Sequence, residues 1–226
     1  MDPKEKIMPK VSEEYIAKKR KSIVDAAHRL CLLKPVSTVT MTDLINETGM
    51  AQGGIYRYFK DIDEVFSAML LDLRESYSIK DGVDEIFAGS DKRPLGDSID
   101  MICDLLADSM EKELMDIQKI NFDLSVMAIN EPERTTKILG GIKGEGNLEH
   151  LVTKTEELLK KAAKKGDLKP VMPVEDIMKF ISSAYSGIQM NCIIGACYRT
   201  SPMGGYEPRP LFKTLAQTIR FLFGES

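Results

Sequence analysis

Apolar residues recur at helical spacing along nearly the whole chain, and no convincing stretch alternates apolar and polar positions as a half-buried strand would. The spacing predicts a first helix over Glu13–Leu33, with Ile23, Ala27 and Leu30 on one stripe and Pro35 stopping it. A short helix follows from Met41. Thr40 can cap its N-terminus, Asp43 can answer as the acidic third residue, and Gly49 can close it in the left-handed conformation that a Cβ resists. A second short helix runs from Gln52 to near Phe59. Asp61-Ile62-Asp63-Glu64 then opens a longer one, carried by Leu70, Leu73 and Tyr77 to about Ile79.

The stretch 80–98, "KDGVDEIFAGSDKRPLGDS", reads as the first Gly/Pro-rich break. Ile99, Ile102, Leu106, Met110, Leu114, Ile117, Leu124 and Met127 predict one helix of about 30 residues, ended or kinked by Pro132. Further helices are expected over 133–139, 148–165, 174–198 and 211–223. Loops or turns separate them at 140–146, 164–173 and 199–210. The pattern amounts to about nine helices and an all-α fold.

Composition narrows the class. Of 226 residues, 43% are hydrophobic, enough to pack a core. No run of 18 apolar residues exists, so no membrane span is expected. The start "MDPKEKIMPKVSEEY" is charged and lacks the apolar region of a secretory signal, which points to the cytoplasm. Four scattered cysteines read as reduced thiols, and neither His28 nor His150 stands at metal-ligand spacing. No nucleophile, dinucleotide or phosphate-loop motif follows a strand, so no catalytic residue, cofactor or metal is expected. The net charge of -4 hides an asymmetry: residues 1–60 carry 11 basic and 7 acidic side chains, the remainder 20 and 28. A basic head on an acidic body suggests two jobs in one chain.

Residues 40–59 form two short helices joined through a glycine turn, a helix-turn-helix. The second helix of such a unit can enter a DNA major groove, where Gln52, Gly53, Gly54, Tyr56, Arg57 and Tyr58 would be exposed. Each glycine costs up to ~1 kcal/mol of helix stability, and in return lets backbone approach a partner without a Cβ in the way. Gln52 can pair with adenine, while tyrosine hydroxyls and Lys60 can hold phosphates. The competing reading makes Gly-Gly a mere helix start and the aromatics core, as Phe59 is assigned in either case. The residues alone thus leave open a DNA reader and a helical protein-binding or scaffold module.

"TVTMTDLINETGMAQGGIYRYFKDIDEVF" resembles the DNA-binding domain of the TetR family of bacterial repressors. The likeness is carried by Thr40, Leu44-Ile45, Gly49, Gly53-Gly54, Tyr56, Phe59-Lys60 and Glu64-Val65-Phe66. "KKRKSIVDAAHRLCLLK" is similar to the family's first helix, and "KKGDLKPVMPVEDI" to its link between seventh and eighth helices. Cys31, Pro35 and Ala51 depart from the family's usual Phe, Gly and Ser or Thr. The resemblance implies a DNA-binding domain over 1–79, with core 17–77 and connecting helix 62–79, and a helical effector-binding and dimerisation domain over 80–226. It implies that Thr40, Thr42, Tyr56 and Lys60 hold phosphates of an operator duplex. Gln52, Gly53, Gly54, Arg57 and Tyr58 would face the groove. A homodimer formed by the last two helices and released from DNA by a small molecule is implied as well.

Read without the family, helix 174–198 is rich in small residues and carries the stripe Ile177, Ile181, Ala184 and Ile188, matched by Leu215, Ile219 and Phe223 in the last helix. Two such helices can pair with their two-fold mates, which makes Ile181, Ala184, Gly187, Ile188, Leu215 and Ile219 the expected dimer interface. The same stripe would serve equally as core within one chain. Nine of the 13 methionines follow residue 60 and suit an apolar or amphipathic ligand, with Asn121 a candidate polar handle. Cys192 and Cys197 would need one helix face to act as a redox pair, and five-residue spacing does not provide it.

Overall fold

The computed structural model describes residues 12–166, 168–197 and 205–224. Among these are eleven α-helices and no strand. Up to Leu71, together with Met127–Ile142, the described residues form one compact unit; Asp72–Val126 and those from Lys143 onward form a second.

In the first unit, α1 (Glu13–Leu33) starts where Ser12 accepts a hydrogen bond from the Tyr15 amide at 3.2 Å. Its inner face, Ile23, Val24, Ala26, Ala27 and Cys31, is buried. It packs against α2 (Met41–Thr48), and the core is completed by α3 (Gln52–Tyr56) and the first turns of α4 (Ile62–Ser76) through Leu44, Ile55, Phe59, Val65 and Phe66. A short α8 (Pro132–Gly140) belongs to this unit too. Arg134 Nε lies 2.9 Å from Asp63, Lys137 Nζ lies 3.1 Å from Asp61 and 2.9 Å from Asp63, and Ser67 Oγ donates to the Ile138 carbonyl at 2.8 Å. The Lys137 pairs are half-exposed and screened, so they orient α8 rather than hold it. The anchor is Ile138, fully buried, a side chain whose burial is worth about 1.5–3 kcal/mol.

The second unit is built on α6 (Leu95–Glu113), α9 (Asn147–Lys165), α10 (Val174–Cys197) and α11 (Pro208–Leu222). Helix α11 packs most extensively on α6, burying Ala107 and Met110 against Phe212, Leu215 and Ala216. Tyr185 tilts against Phe212 with ring centroids 6.1 Å apart. After α9 the chain turns at Gly166, and the amides of Lys169 and Val171 donate to carbonyls at the end of α11. Tyr198 and half of the expected loop, 199–204, lie outside the described residues, as do residues 1–11, and the end of that loop, 208–210, is already the first turn of α11.

Two expectations are corrected. The stretch 80–98 is not a simple break: α5 (Lys80–Ala88) is helical, with Val83 and Ile86 buried. Gly82 inside it permits close approach of α6, because a Cβ there would stand 3.2 Å from a Leu105 methyl. The expected long helix over 99–129 is α6 and α7 (Lys119–Asn130), separated by a π-turn at Leu114–Gln118 with non-helical torsions at Met115 and Asp116. No proline or glycine marks this break. Partners elsewhere in the unit accommodate it: the Tyr77 hydroxyl donates to Asp116 at 2.8 Å, and Gln189 donates to the buried Gln118 at 2.7 Å. With this insertion the inner stripe runs through Ile117, Gln118, Ile120 and Leu124, which leaves Asn121 exposed.

At the start of α9, His150 joins two elements, with Nδ1 2.9 Å from Glu145 and Nε2 2.8 Å from Asp84 of α5. The Glu145 hydrogen bond, aided by Asp84, raises the imidazole pKa above 6.5 against a smaller effect of burial. A raised folded-state pKa adds stability that is complete below the unfolded value and lost as pH rises through the folded one. Urea unfolding is therefore expected to show stability falling from mildly acid to mildly alkaline pH in the wild type, and a flatter profile in His150→Gln. Parallel profiles would exclude the cluster as the cause.

Candidate nucleic-acid interface

The two-helix unit is held from its first residue. Thr40 Oγ1 accepts from the Asp43 amide at 3.2 Å, and Asp43 accepts from the Thr40 amide and hydroxyl, each at 2.7 Å. Lys34 reaches the same carboxylate at 2.6 Å. Its hydrogen bond, with those of Thr40, lowers the Asp43 pKa to about 2. The expected capping box is thus formed, and the Thr40 hydroxyl is spent inside the fold. Gly49 ends α2 at φ 65°, and its amide donates to the Ile45 carbonyl at 3.0 Å.

Helix α3 is shorter than its pattern predicts, stopping at Tyr56; the Tyr58 and Phe59 amides continue the turn by donating to the Ile55 carbonyl. Ile55 and Phe59 point into the core, and the Arg20 guanidinium lies 4.1 Å from the Phe59 ring centroid and also donates to the Tyr58 carbonyl. The remaining side chains face out. Gln52, Gly53, Tyr56 and Arg57 are exposed, Gly54 and Tyr58 half-buried. Phe59 is core while Tyr56, 45% accessible, is surface, which separates the aromatics that the sequence left open.

Neither Gly53 nor Gly54 has a positive φ. A Cβ on Gly53 would meet nothing within 4 Å, and one on Gly54 only the Met50 methyl at 3.6 Å. The fold of the head therefore does not require glycine at either place. Ala51 supplies no side-chain cap, so α3 begins with its N-terminus uncapped by a side chain. Thr42 is exposed at the start of α2. Lys60 is 72% accessible in its side chain, with its nearest acid, Glu64, at 3.6 Å.

The other expected sites are arranged differently. The second unit encloses a cavity of about 180 Å³ between α6, α9, α10 and α11, with Phe87 of α5 on its wall. Among the described residues Met178 is the sole methionine lining it, and Asn121 lies outside it. The sequence offered no signal for Ser98, which lies on the wall, is 2% accessible and has a hydroxyl without a hydrogen-bond partner among the described residues. Ile188, Leu215 and Ile219 are buried in the core of their own chain, and the partly buried Ile181 and Ala184 pack against it, so this stripe serves the chain's own core. The reason is helix phase: α11 packs on α10, and Ile177 and Ile188 join its core cluster. The opposite face of α10 keeps Phe180, Met190 and Ile194 exposed, with open space beside Gly187; on α11, Phe221 is 66% accessible. Cys192 is buried, which raises its thiol pKa, whereas Cys197 is exposed.

Residues 23–69 match the family described as bacterial regulatory proteins, tetR family. The chain is 25% identical over 185 residues to an uncharacterised HTH-type transcriptional regulator, YfiR, of Bacillus subtilis (strain 168), covering 82% of this chain and 85% of that one. It is 37% identical over 62 residues to the HTH-type transcriptional repressor Rv1474c of Mycobacterium tuberculosis (strain ATCC 25618 / H37Rv), covering 27% and 33%. With a capped helix-turn-helix and an exposed second helix, these matches define a DNA-binding transcriptional regulator and not a protein-binding scaffold. The fold is shared with the fatty acid degradation regulator FadR from Bacillus halodurans, at TM-score 0.62 and 14% identity over 89% of this chain and 94% of that one. Residues 23–69 are thus a segment of the TetR type, with the helix-turn-helix inside it.

The two threonines of α2 separate cleanly in experiment. Thr40→Val removes the capping hydroxyl and is expected to lower unfolding free energy by about 1 kcal/mol. Thr42→Val at an exposed position should change it by less than about 0.5 kcal/mol. Equal losses in urea unfolding would show that the box does not govern the stability of the head.

Proposed function

We propose that this regulator is a homodimeric repressor that leaves its operator when a small apolar molecule fills the cavity of the second unit. The observation that carries it is the glycine pair of α3. It weakens the helix, serves no internal packing, and lies on the surface where DNA backbone would approach. Residues 1–79 act as the reading domain and 80–226 as the sensing and dimerising domain, with α8 an addition to the head. Gln52 and Arg57 read base edges, and Tyr58 lines the groove. Thr42, Tyr56 and Lys60 hold phosphates, with Thr40 contributing by fixing the start of α2. The cytoplasm, where operator and effector meet, is its place of action.

Dimerisation uses the exposed face of α10 and α11. Phe180, Gly187, Met190 and Ile194 recur at helical spacing, and Gly187 lets a second helix come close. Two heads then address half-sites about 34 Å apart. The chain passes between the two units three times, twice within a helix, α4 or α7, so a change in the second unit has three covalent routes to the head. A hundredfold loss of operator affinity requires a coupling of about 2.8 kcal/mol, and operator must weaken effector binding by the same factor.

The deciding experiment is binding to DNA flanking the protein's own gene at rising salt. A steep fall of affinity is expected from counterion release. Lys60→Ala should weaken all sequences alike and reduce the salt slope by about one, while Gln52→Ala should cost about 1–3 kcal/mol on the best site and relax preference there. Gly187→Arg should give monomers in sedimentation and lose operator binding with them. Absence of any salt-dependent DNA complex would end the repressor reading, and a wild-type monomer would end the dimer.

A further inference from the structure

The cavity of the second unit has a wall chemistry that is specific about charge. It is lined by leucines, isoleucines and aromatics, and none of the described lining residues is Lys, Arg, His, Asp or Glu. An ionised ligand group placed there would be stripped of water with no counter-charge, which costs far more than apolar contact returns. The thiol of Cys103, on the same wall, has its pKa pushed up to about 12 by burial, with Asp100 and Asp104 adding to it. It therefore stays protonated and is not poised to trap an electrophile. Carboxylates, ammonium ions and covalent modifiers are all poorly served.

Hydrogen bonding, in contrast, is on offer at a defined place. Ser98 is on the wall, 2% accessible, and its hydroxyl finds no partner among the described residues. Buried polar groups are nearly always paired, so an orphaned one beside a cavity awaits something that is absent from the protein itself. Ser182, also on the wall, is exposed and can be satisfied by water. Thr155 and Tyr185 bring two further hydroxyls to the wall, the Tyr185 ring being held against Phe212.

Size sets the last limit. An apolar cavity of roughly 150 Å³ lined by Leu, Ile and Phe accepts benzene. At about 180 Å³ this one has room for a ring and a short substituent. Leu148 and Val152 of α9 are wall residues that are each 47% accessible, and they mark where the cavity meets solvent.

We propose that this cavity takes a neutral, single-ring-sized apolar molecule carrying one hydroxyl or carbonyl group, and that Ser98 is the residue that reads this group. The proposal rests on the reading of the second unit as effector-binding and names the chemistry of the effector. A ligand hydroxyl gains a partner for itself and for the serine at once. A hydrocarbon of the same shape leaves the serine as orphaned as before.

The test is calorimetric titration of the full chain, without DNA, with three ligands of one skeleton: para-propylphenol, propylbenzene and para-propylbenzoate. The phenol is expected to bind about tenfold more tightly than the hydrocarbon, the worth of one hydrogen bond. The benzoate should bind on the order of a hundredfold more weakly than the phenol. In Ser98→Ala the preference for phenol over hydrocarbon should vanish. The melting temperature of the unliganded variant should be unchanged or higher, since no hydrogen bond is lost. Tyr185→Phe should keep the preference. The proposal is overturned if Ser98→Ala retains the preference, if Tyr185→Phe abolishes it, if the benzoate matches the phenol, or if none of the three binds. Operator titration separates the two readings. Phenol bound as described without loss of operator affinity would sink the release mechanism alone, and operator release by the benzoate would sink the ligand assignment alone.

Discussion

The helix that presents Gln52, Gly53 and Arg57 is five residues long, too short to persist on its own hydrogen bonds. Two consecutive glycines weaken it further, and no side chain caps its start. What holds it is burial of Ile55 and Phe59, each almost fully enclosed and each worth about 1.5–3 kcal/mol. Everything the head presents depends on these two side chains. Arg20, stacked on Phe59 and bonded to the Tyr58 carbonyl, fixes the chain beyond the helix where regular hydrogen bonding stops. The surface is thereby free to be chosen for contact, since stability is supplied from beneath.

A related division runs through the rest of the first unit. The Thr40–Asp43 box and Lys34 set the start of α2, and Gly49 sets its end. Helix α8 adds Ile138 to the same core and brings Arg134 and Lys137 against the first turn of α4. Apolar burial provides the attachment, and the partly exposed ion pairs, individually weak, choose its orientation.

In the second unit one helix serves two surfaces. One stripe of α10, through Ile177 and Ile188, closes the core with α11, while Ile181 and Tyr185 border the cavity. The other stripe leaves Phe180, Met190 and Ile194 outside. An apolar helix with one face buried and another exposed explains why its mean composition could not tell core from surface. The cavity lies between α6, α9, α10 and α11, and none of its described lining residues is charged. The π-turn between α6 and α7 is tolerated because Tyr77 and Gln189 satisfy polar groups that the irregular backbone exposes.

Features governed by neighbours three or four residues away were legible without coordinates. The limits of α1, the capping box, the left-handed Gly49 and the helix-turn-helix all follow from the local rules of helix starts, stops and periodicity. The structure decided what those rules do not reach. Helix α5 forms despite Gly82 because Val83, Ile86 and the close approach of Leu105 reward it. Asn121 is exposed because Ile120, and not its neighbour, completes the inner stripe between Ile117 and Leu124. The stripe of Ile188, Leu215 and Ile219 went to the chain's own core instead of to a partner. Helix α8 joined the head through contacts spanning more than seventy residues, and Ser98 became an orphan only when α6 met its neighbours. Periodicity tells that a face will be buried; it carries no information on what buries it, because that depends on which distant segments arrive there when the chain folds.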